Sequence, residues 1–245
     1  MSIVELSIVS LAAVITSIIG GVAGYGTGLL MPLVLVPILG AQAVVPVLGV
    51  SAMFNNLSRI AAFREGIAWP HVWRISLVGL PFCYLGAMGY SFLSGPGASI
   101  LIGAALILLV PARRILKSFQ KELSPAAVLA AGALFGLVTG AVPGGGIILI
   151  SLLMALGVKG SSIIATDAVI SLIVGVVKIG TFQAYGQLPL SLWTIAILIG
   201  IVGIPGAFAA KWIANRLSLK VHHGIMDATV IVGGSVLMLR GMGIL

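Results

Sequence analysis

Gly24-Tyr25-Gly26-Thr27-Gly28-Leu29-Leu30-Met31-Pro32 and, 118 positions further on, Val142-Pro143-Gly144-Gly145-Gly146-Ile147-Ile148-Leu149-Ile150 are two glycine-rich knots set inside long apolar runs. Each run is nearly twice the length of about 20 residues that one membrane-spanning helix needs. A bilayer core offers no water to unpaired N–H and C=O groups. Irregular backbone is tolerated there only where protein or a water-filled cavity surrounds it. A matched pair of such breaks points to the binding site of a two-repeat transporter.

The rest of the chain fits a membrane setting. Of its 245 residues, 60% are hydrophobic and only 7% charged, with a mean hydropathy of +1.26. A soluble domain carries about 25% charged residues, so the composition predicts an all-α polytopic membrane protein whose first partner is the lipid bilayer. The net charge of +8 would suggest nucleic acid in a soluble protein. Here the basic residues sit in a few connecting segments, where they set topology, and no nucleic-acid partner is expected. Cys83 is the only cysteine, so it forms no internal disulfide or metal cluster and reads as a small buried hydrophobe. No cofactor and no metal are expected. The N-terminal run, with no Lys or Arg before Arg59, is too long for a cleaved leader and is expected to belong to the mature fold.

Three landmarks recur in order. The knots repeat at 118; Phe63 to Gly66 with Pro70 resembles Phe182 to Gly186 with Pro189; Gly79-Leu80-Pro81 matches Gly203-Ile204-Pro205. This predicts a duplication, with an N-terminal repeat over 1–120 and a C-terminal repeat over 121–245 in one integral membrane domain. Apolar segments are predicted at 3–20, 28–39, 43–62, 72–93 and 98–116, then at 125–141, 145–157, 161–182, 189–212 and 223–243. The second of each five is too short to cross a core of about 30 Å at 1.5 Å per residue. Each is expected to be a half-helix paired with its predecessor as a broken or re-entrant hairpin.

If each hairpin returns to its own side, eleven of the thirteen basic residues fall on one face, Arg59 counted among them. That face is expected to be cytoplasmic, with both termini on the opposite side. An odd number of segments per half makes the repeats inverted. Trp69, Trp73 and Trp212 are placed at the basic interface.

A helix start presents unpaired N–H groups and a partial positive charge, and glycine lets a ligand approach them closely. Two such ends converging without carboxylates suit a small oxyanion. Gly24, Tyr25, Gly26, Thr27, Gly28, Pro143, Gly144, Gly145 and Gly146 are therefore the predicted substrate-binding backbone. The hydroxyl of Tyr25 faces either the substrate or a backbone carbonyl. Gly20, Gly21 and Gly136 read instead as close helix packing.

The Gly-x-Gly-x-Gly run leading to Pro32, its second copy Pro143-Gly-Gly-Gly, Ala165-Thr166-Asp167, and the stretch Pro205-Gly206-Ala207 through Ala214-Asn215-Arg216-Leu217-Ser218 resemble the TauE/SafE, or sulfite exporter, family over essentially the whole chain. The resemblance implies an inner-membrane transporter of small sulfur-containing anions such as sulfite, thiosulfate, sulfoacetate or related sulfonates, commonly in the direction of export. Thr27 stands where the family's first copy usually has glycine, and Val142-Pro143 where the second often has Gly-x. The two half-sites are thus chemically unequal.

Polar residues inside apolar segments are costly and mark function by default. Asn55 and Asn56 either donate to an anion's oxygens or satisfy a broken-helix carbonyl. Asp167, aligned with Ser51 across the repeat, either carries a coupling proton or compensates a helix N-terminus. Lys178, eleven positions after Asp167 and on roughly the same face, either attracts the anion or snorkels to the outer interface. His222, His223 and Asp227 read as a solvated surface. No Walker loop, Gly-x-Ser-x-Gly elbow or His-Glu-x-x-His helix is present, so neither ATP hydrolysis nor an enzyme is expected. The alternatives to a secondary transporter are an anion channel or an uptake permease for a non-sulfur organic anion. A homodimer is left open.

Overall fold

A computed structural model describes residues 2–23, 26–63, 66–118, 123–213 and 219–244. Ten helices make up the described chain: α1 (Ile3–Ala23), α2 (Gly26–Leu39), α3 (Ala41–Ala62), α4 (Trp69–Ser91), α5 (Gly95–Ser118), α6 (Pro125–Ala141), α7 (Gly146–Ala155), α8 (Ser161–Ala184), α9 (Leu190–Ile213) and α10 (Leu219–Gly241). The all-helical expectation and the count of ten segments hold. Several helices start about three residues earlier than hydropathy placed them. At α4 the reason is Pro70, which sits in the first turn where its missing N–H costs nothing. At α6, Ser124 caps the helix by accepting from the N–H of Ala127.

Among the described residues four helices are long and apolar enough to cross a membrane: α3, α4, α5 over Gly95–Ala112, and α8. The two predicted half-helices are short. α2 has 14 residues and α7 only 10, about 21 and 15 Å at 1.5 Å per residue.

The bundle has two ends. At one, Gln42 donates to the carbonyl of Leu93 and Gln187 to that of Ser91, drawing together the α2–α3, α4–α5 and α8–α9 turns. At the other, the Ser162 hydroxyl donates to the Gly66 carbonyl, and the Ala68 N–H donates to Thr166 Oγ1 at 3.0 Å, tying the α3–α4 loop to the start of α8. Lys159 lies at this second end, where Trp69 and Trp73 stack at 6.4 Å and are half exposed. The side chain of Trp212 lies outside the described residues.

Small residues set the closest crossings. A Cβ at Gly136 would collide with the carbonyl of Gly79, one at Gly140 with that of Cys83, and one at Gly86 with that of Leu137. α4 and α6 therefore touch backbone to backbone, as lipid-immersed helices do when no hydrophobic force drives them together. α3 and α8 run antiparallel: Gly49 faces Lys178 and Ile179, while Met53 faces Gly175. α5 and α10 are also antiparallel, with Gly103 against Gly234 and Met238, and Gly241 against Ile100.

The pairing of helices is nearly unchanged when each is exchanged with the one five places on. The α4–α6 contact answers to α9–α1, α3–α9 to α8–α4, α1–α2 to α6–α7, α2–α3 to α7–α8, and α2–α10 to α7–α5. The contacts of α5 with α2 and α3 have no comparably extensive counterpart. Two apolar clusters fill the bundle. One is built mainly from α1, α2, α3, α5, α9 and α10; the other joins α4, α6, α7 and α8. The polar cavity lies where both clusters meet.

Candidate functional site

The two glycine knots come together. A Cβ on Gly28 would lie 2.9 Å from the backbone nitrogen of Gly144, so the starts of α2 and α7 touch with no side chain between them. From this contact α2 runs to Leu39, beside Gln42, and α7 runs to Ala155, beside Lys159. Those are opposite ends of the bundle. The half-helix N-termini therefore converge at its middle.

Val142 leaves α6 in extended conformation with φ −141° and ψ 162°. Gly144 follows at φ +95°, a left-handed conformation that a side-chain-bearing residue adopts only with strain. The turn delivers the N–H groups of Gly144, Gly145 and Gly146 to the start of α7. Among the described residues none of the three donates to a protein acceptor; the first donors that find one are those of Ile147 and Ile148, to Gly144 and Gly145 carbonyls. These are the orphan donors expected at a helix start.

A cavity of about 170 Å³ opens on this turn. Thr27 and Gly28 line it from α2, Pro143 through Gly146 from the second knot, Asn55 and Asn56 from α3, and Asp167 and Lys178 from α8. Ten of the predicted site residues thus share one cavity. Gly24 and Tyr25 lie outside the described residues, and so do the surroundings of Gly26, which opens α2. The Thr27 hydroxyl is taken up by the carbonyl of Thr16 at 3.0 Å, which pins α2 to α1.

Lys178 does not snorkel. Its residue is 5% exposed and its stem lies over Gly49, where an added Cβ would sit 3.5 Å from Cε. Nζ donates to the carbonyl of Thr139 at 2.6 Å. Among the described residues no carboxylate reaches this ammonium. The carboxylate of Asp167 stands beside the start of α7, its Oδ1 3.9 Å from where a Cβ on Gly146 would lie. It is buried, and its Oδ2 lies 2.6 Å from Arg59 Nη2, a charge contact that lacks hydrogen-bond alignment. Arg59 Nη2, Asp167 Oδ1 and Thr139 Oγ1 are all buried without a hydrogen-bond partner. A buried polar atom left unpaired is expensive, and three around one cavity leave unmet bonding capacity for a polar ligand.

Arg59 corrects the topology tally. Counted there as a charge of the basic face, it points into the cavity and donates through Nη1 to Asn56 Oδ1 at 3.4 Å. A sequence signal for it exists: Arg59-x-x-x-Phe63 and Lys178-x-x-x-Phe182 repeat at an offset of 119. In that register Asp167 answers to Leu48. Asn55 and Asn56 satisfy no hairpin carbonyl among the described residues; Asn55 Oδ1 accepts from the Ser17 hydroxyl at 3.5 Å. Asp227 is buried, contrary to the solvated reading, while the side chains of His222 and His223 lie outside the described residues. Cys83 is fully buried, its Sγ 3.7 Å from the carbonyl of Val174.

An apolar helical bundle with a polar chamber at its middle, roofed by two opposed broken helices, defines a multi-pass membrane protein. Residues 9–237 match the family described as Sulfite exporter TauE/SafE, and the chain belongs to that family. The family consists of membrane transporters of sulfur anions such as sulfite, not of enzymes, and its membership implies a small anionic substrate. No match is found among curated proteins or among solved structures.

Proposed function

We propose that this chain is a secondary transporter of a small sulfur oxyanion or sulfonate, working in the direction of export by alternating access around the central cavity. One observation carries the reading: the orphan N–H groups of Gly144 to Gly146 and the carboxylate-free ammonium of Lys178 face one chamber. Backbone donors at a helix start and a lysine are acceptable partners for an oxyanion's oxygens. Gly28 and Thr27 close the chamber from the first half, with Gly24 to Gly26 continuing the binding backbone. Asn55 and Asn56 supply amide donors.

In this reading the halves 1–120 and 121–245 are inverted repeats. The antiparallel course of the equivalent pairs α3–α8 and α5–α10 supports it, because helices related by an axis lying in the membrane plane run in opposite directions. Rocking of one half against the other exposes the chamber alternately. Asp167 carries the coupling proton, and Lys178 attracts the anion.

The test is a thermal-shift screen of the purified protein with sulfite, thiosulfate, sulfoacetate, taurine and carboxylate controls. Stabilisation by at least one of the sulfur anions is expected; stabilisation by cations or neutral solutes alone sinks the anion reading. Flux through Asp167→Asn is expected to lose its dependence on pH, and full pH-dependent flux in that variant removes the proton role. A channel with the same lining is distinguished by the absence of saturable counterflow.

A further inference from the structure

We propose that Asp167 sets the charge of the ligand: the chamber accepts singly charged oxyanions and rejects doubly charged ones, because the carboxylate already stands where a second negative charge would go. The proposal rests on the reading of the cavity as the anion site. Among the described residues three charged side chains line it, Arg59, Asp167 and Lys178. With Asp167 ionised their sum is one positive charge.

The asymmetry lies in the repeat itself. Arg59 and Lys178 occupy the same position of their halves, four residues before Phe63 and Phe182. Because α3 and α8 run antiparallel, each cation faces the partner helix at the place where the other's helix carries its own equivalent residue. Across from Arg59 stands Asp167, at 2.6 Å. Across from Lys178 stand Gly49 and, in the register of the repeat, Leu48. The fold thus offers two cationic half-sites, one filled by a tethered carboxylate and one open.

A monoanion at the open half-site balances the chamber. A dianion leaves an uncompensated negative charge away from bulk water, with a like charge beside it, and both effects are costly. The unpaired atoms favour the same class. Thr139 Oγ1 and the three glycine N–H groups have donors to give, whereas Asp167 Oδ1 has only acceptor capacity. An oxyanion that keeps a proton presents an O–H to that oxygen, and a dianion presents none. Among sulfur anions, hydrogensulfite and singly charged sulfonates then fit better than the dianions sulfite, thiosulfate and sulfoacetate.

Methanesulfonate and sulfate test this, because they have nearly the same shape and fixed charges of −1 and −2 at neutral pH. Binding of each to the purified full-length protein is measured by titration calorimetry at one neutral pH. The wild type is expected to bind methanesulfonate at least about tenfold more tightly than sulfate, a difference of roughly 1.4 kcal/mol. Asp167→Asn is expected to shift that ratio at least about tenfold toward sulfate, while Asp167→Glu keeps it. Equal binding of the two anions by the wild type, or an unchanged ratio in Asp167→Asn, overturns the charge rule and leaves the anion site standing. Binding of neither anion by a folded wild type overturns the anion site itself. If Asp167→Asn does not fold, the wild-type ratio still decides.

Discussion

At the scale of single residues the chamber depends on a buried ion pair and on two glycines. Arg59 and Asp167 are held together out of water, with side chains 14% and 2% exposed. Removing one partner leaves the other as an uncompensated charge, at a cost of about 3–5 kcal/mol. Arg59→Met is therefore expected to melt well below wild type, and Arg59→Met combined with Asp167→Asn to recover much of the loss; thermal unfolding in detergent reads both. Gly145 packs against Thr139, where an added Cβ would collide with Oγ1 and lie 3.0 Å from Cα. Gly145→Val is expected to abolish anion binding while the protein still inserts, and unaltered affinity counts against the hairpin site. The glycines were legible in the sequence because a break in an apolar run has few structural excuses. Arg59 was not. Its charge merges with Arg64 and Arg74 in the basic stretch, and only the four-residue spacing to Phe63, shared by Lys178 and Phe182, sets it apart in the sequence.

Among elements, the α4–α6 contact shows how far small residues decide packing. Gly86, Gly136 and Gly140 admit backbone where a methyl group would collide. Gly136→Leu is expected to lower the melting temperature sharply without changing the preference among anions, since the residue does not line the chamber. The half-helices were foreseen from hydropathy as 28–39 and 145–157, and appear as Gly26–Leu39 and Gly146–Ala155. The length was readable because glycine and proline punctuate both ends. That the two N-termini touch was not, because nothing local in either knot encodes the distance to the other. It follows from the packing of α3 on α8, a long-range contact whose antiparallel register appears in neither helix alone.

Across the whole molecule, the near-invariance of helix contacts under exchange of the two halves links the repeat landmarks to a three-dimensional arrangement. In the sequence the expected duplication appears as a landmark offset that drifts from 118 at the knots to 124 at Gly79 and Gly203. The side assignment makes a testable statement. Lys159 and Leu190 are exposed at opposite ends of the bundle, and the sole native cysteine is fully buried. With a membrane-impermeant thiol reagent applied to intact cells, Leu190→Cys is expected to be labelled and Lys159→Cys to be protected until the membrane is opened. The reverse pattern inverts the topology. The central claim, that an anion sits between the glycine turn and Lys178, is tested most directly by sulfite binding to Lys178→Met, measured by calorimetry on protein shown to be folded. The account predicts at least about a tenfold loss of affinity, the effect of a lost charge-assisted hydrogen bond of roughly 1.5–3 kcal/mol; affinity equal to wild type would contradict it.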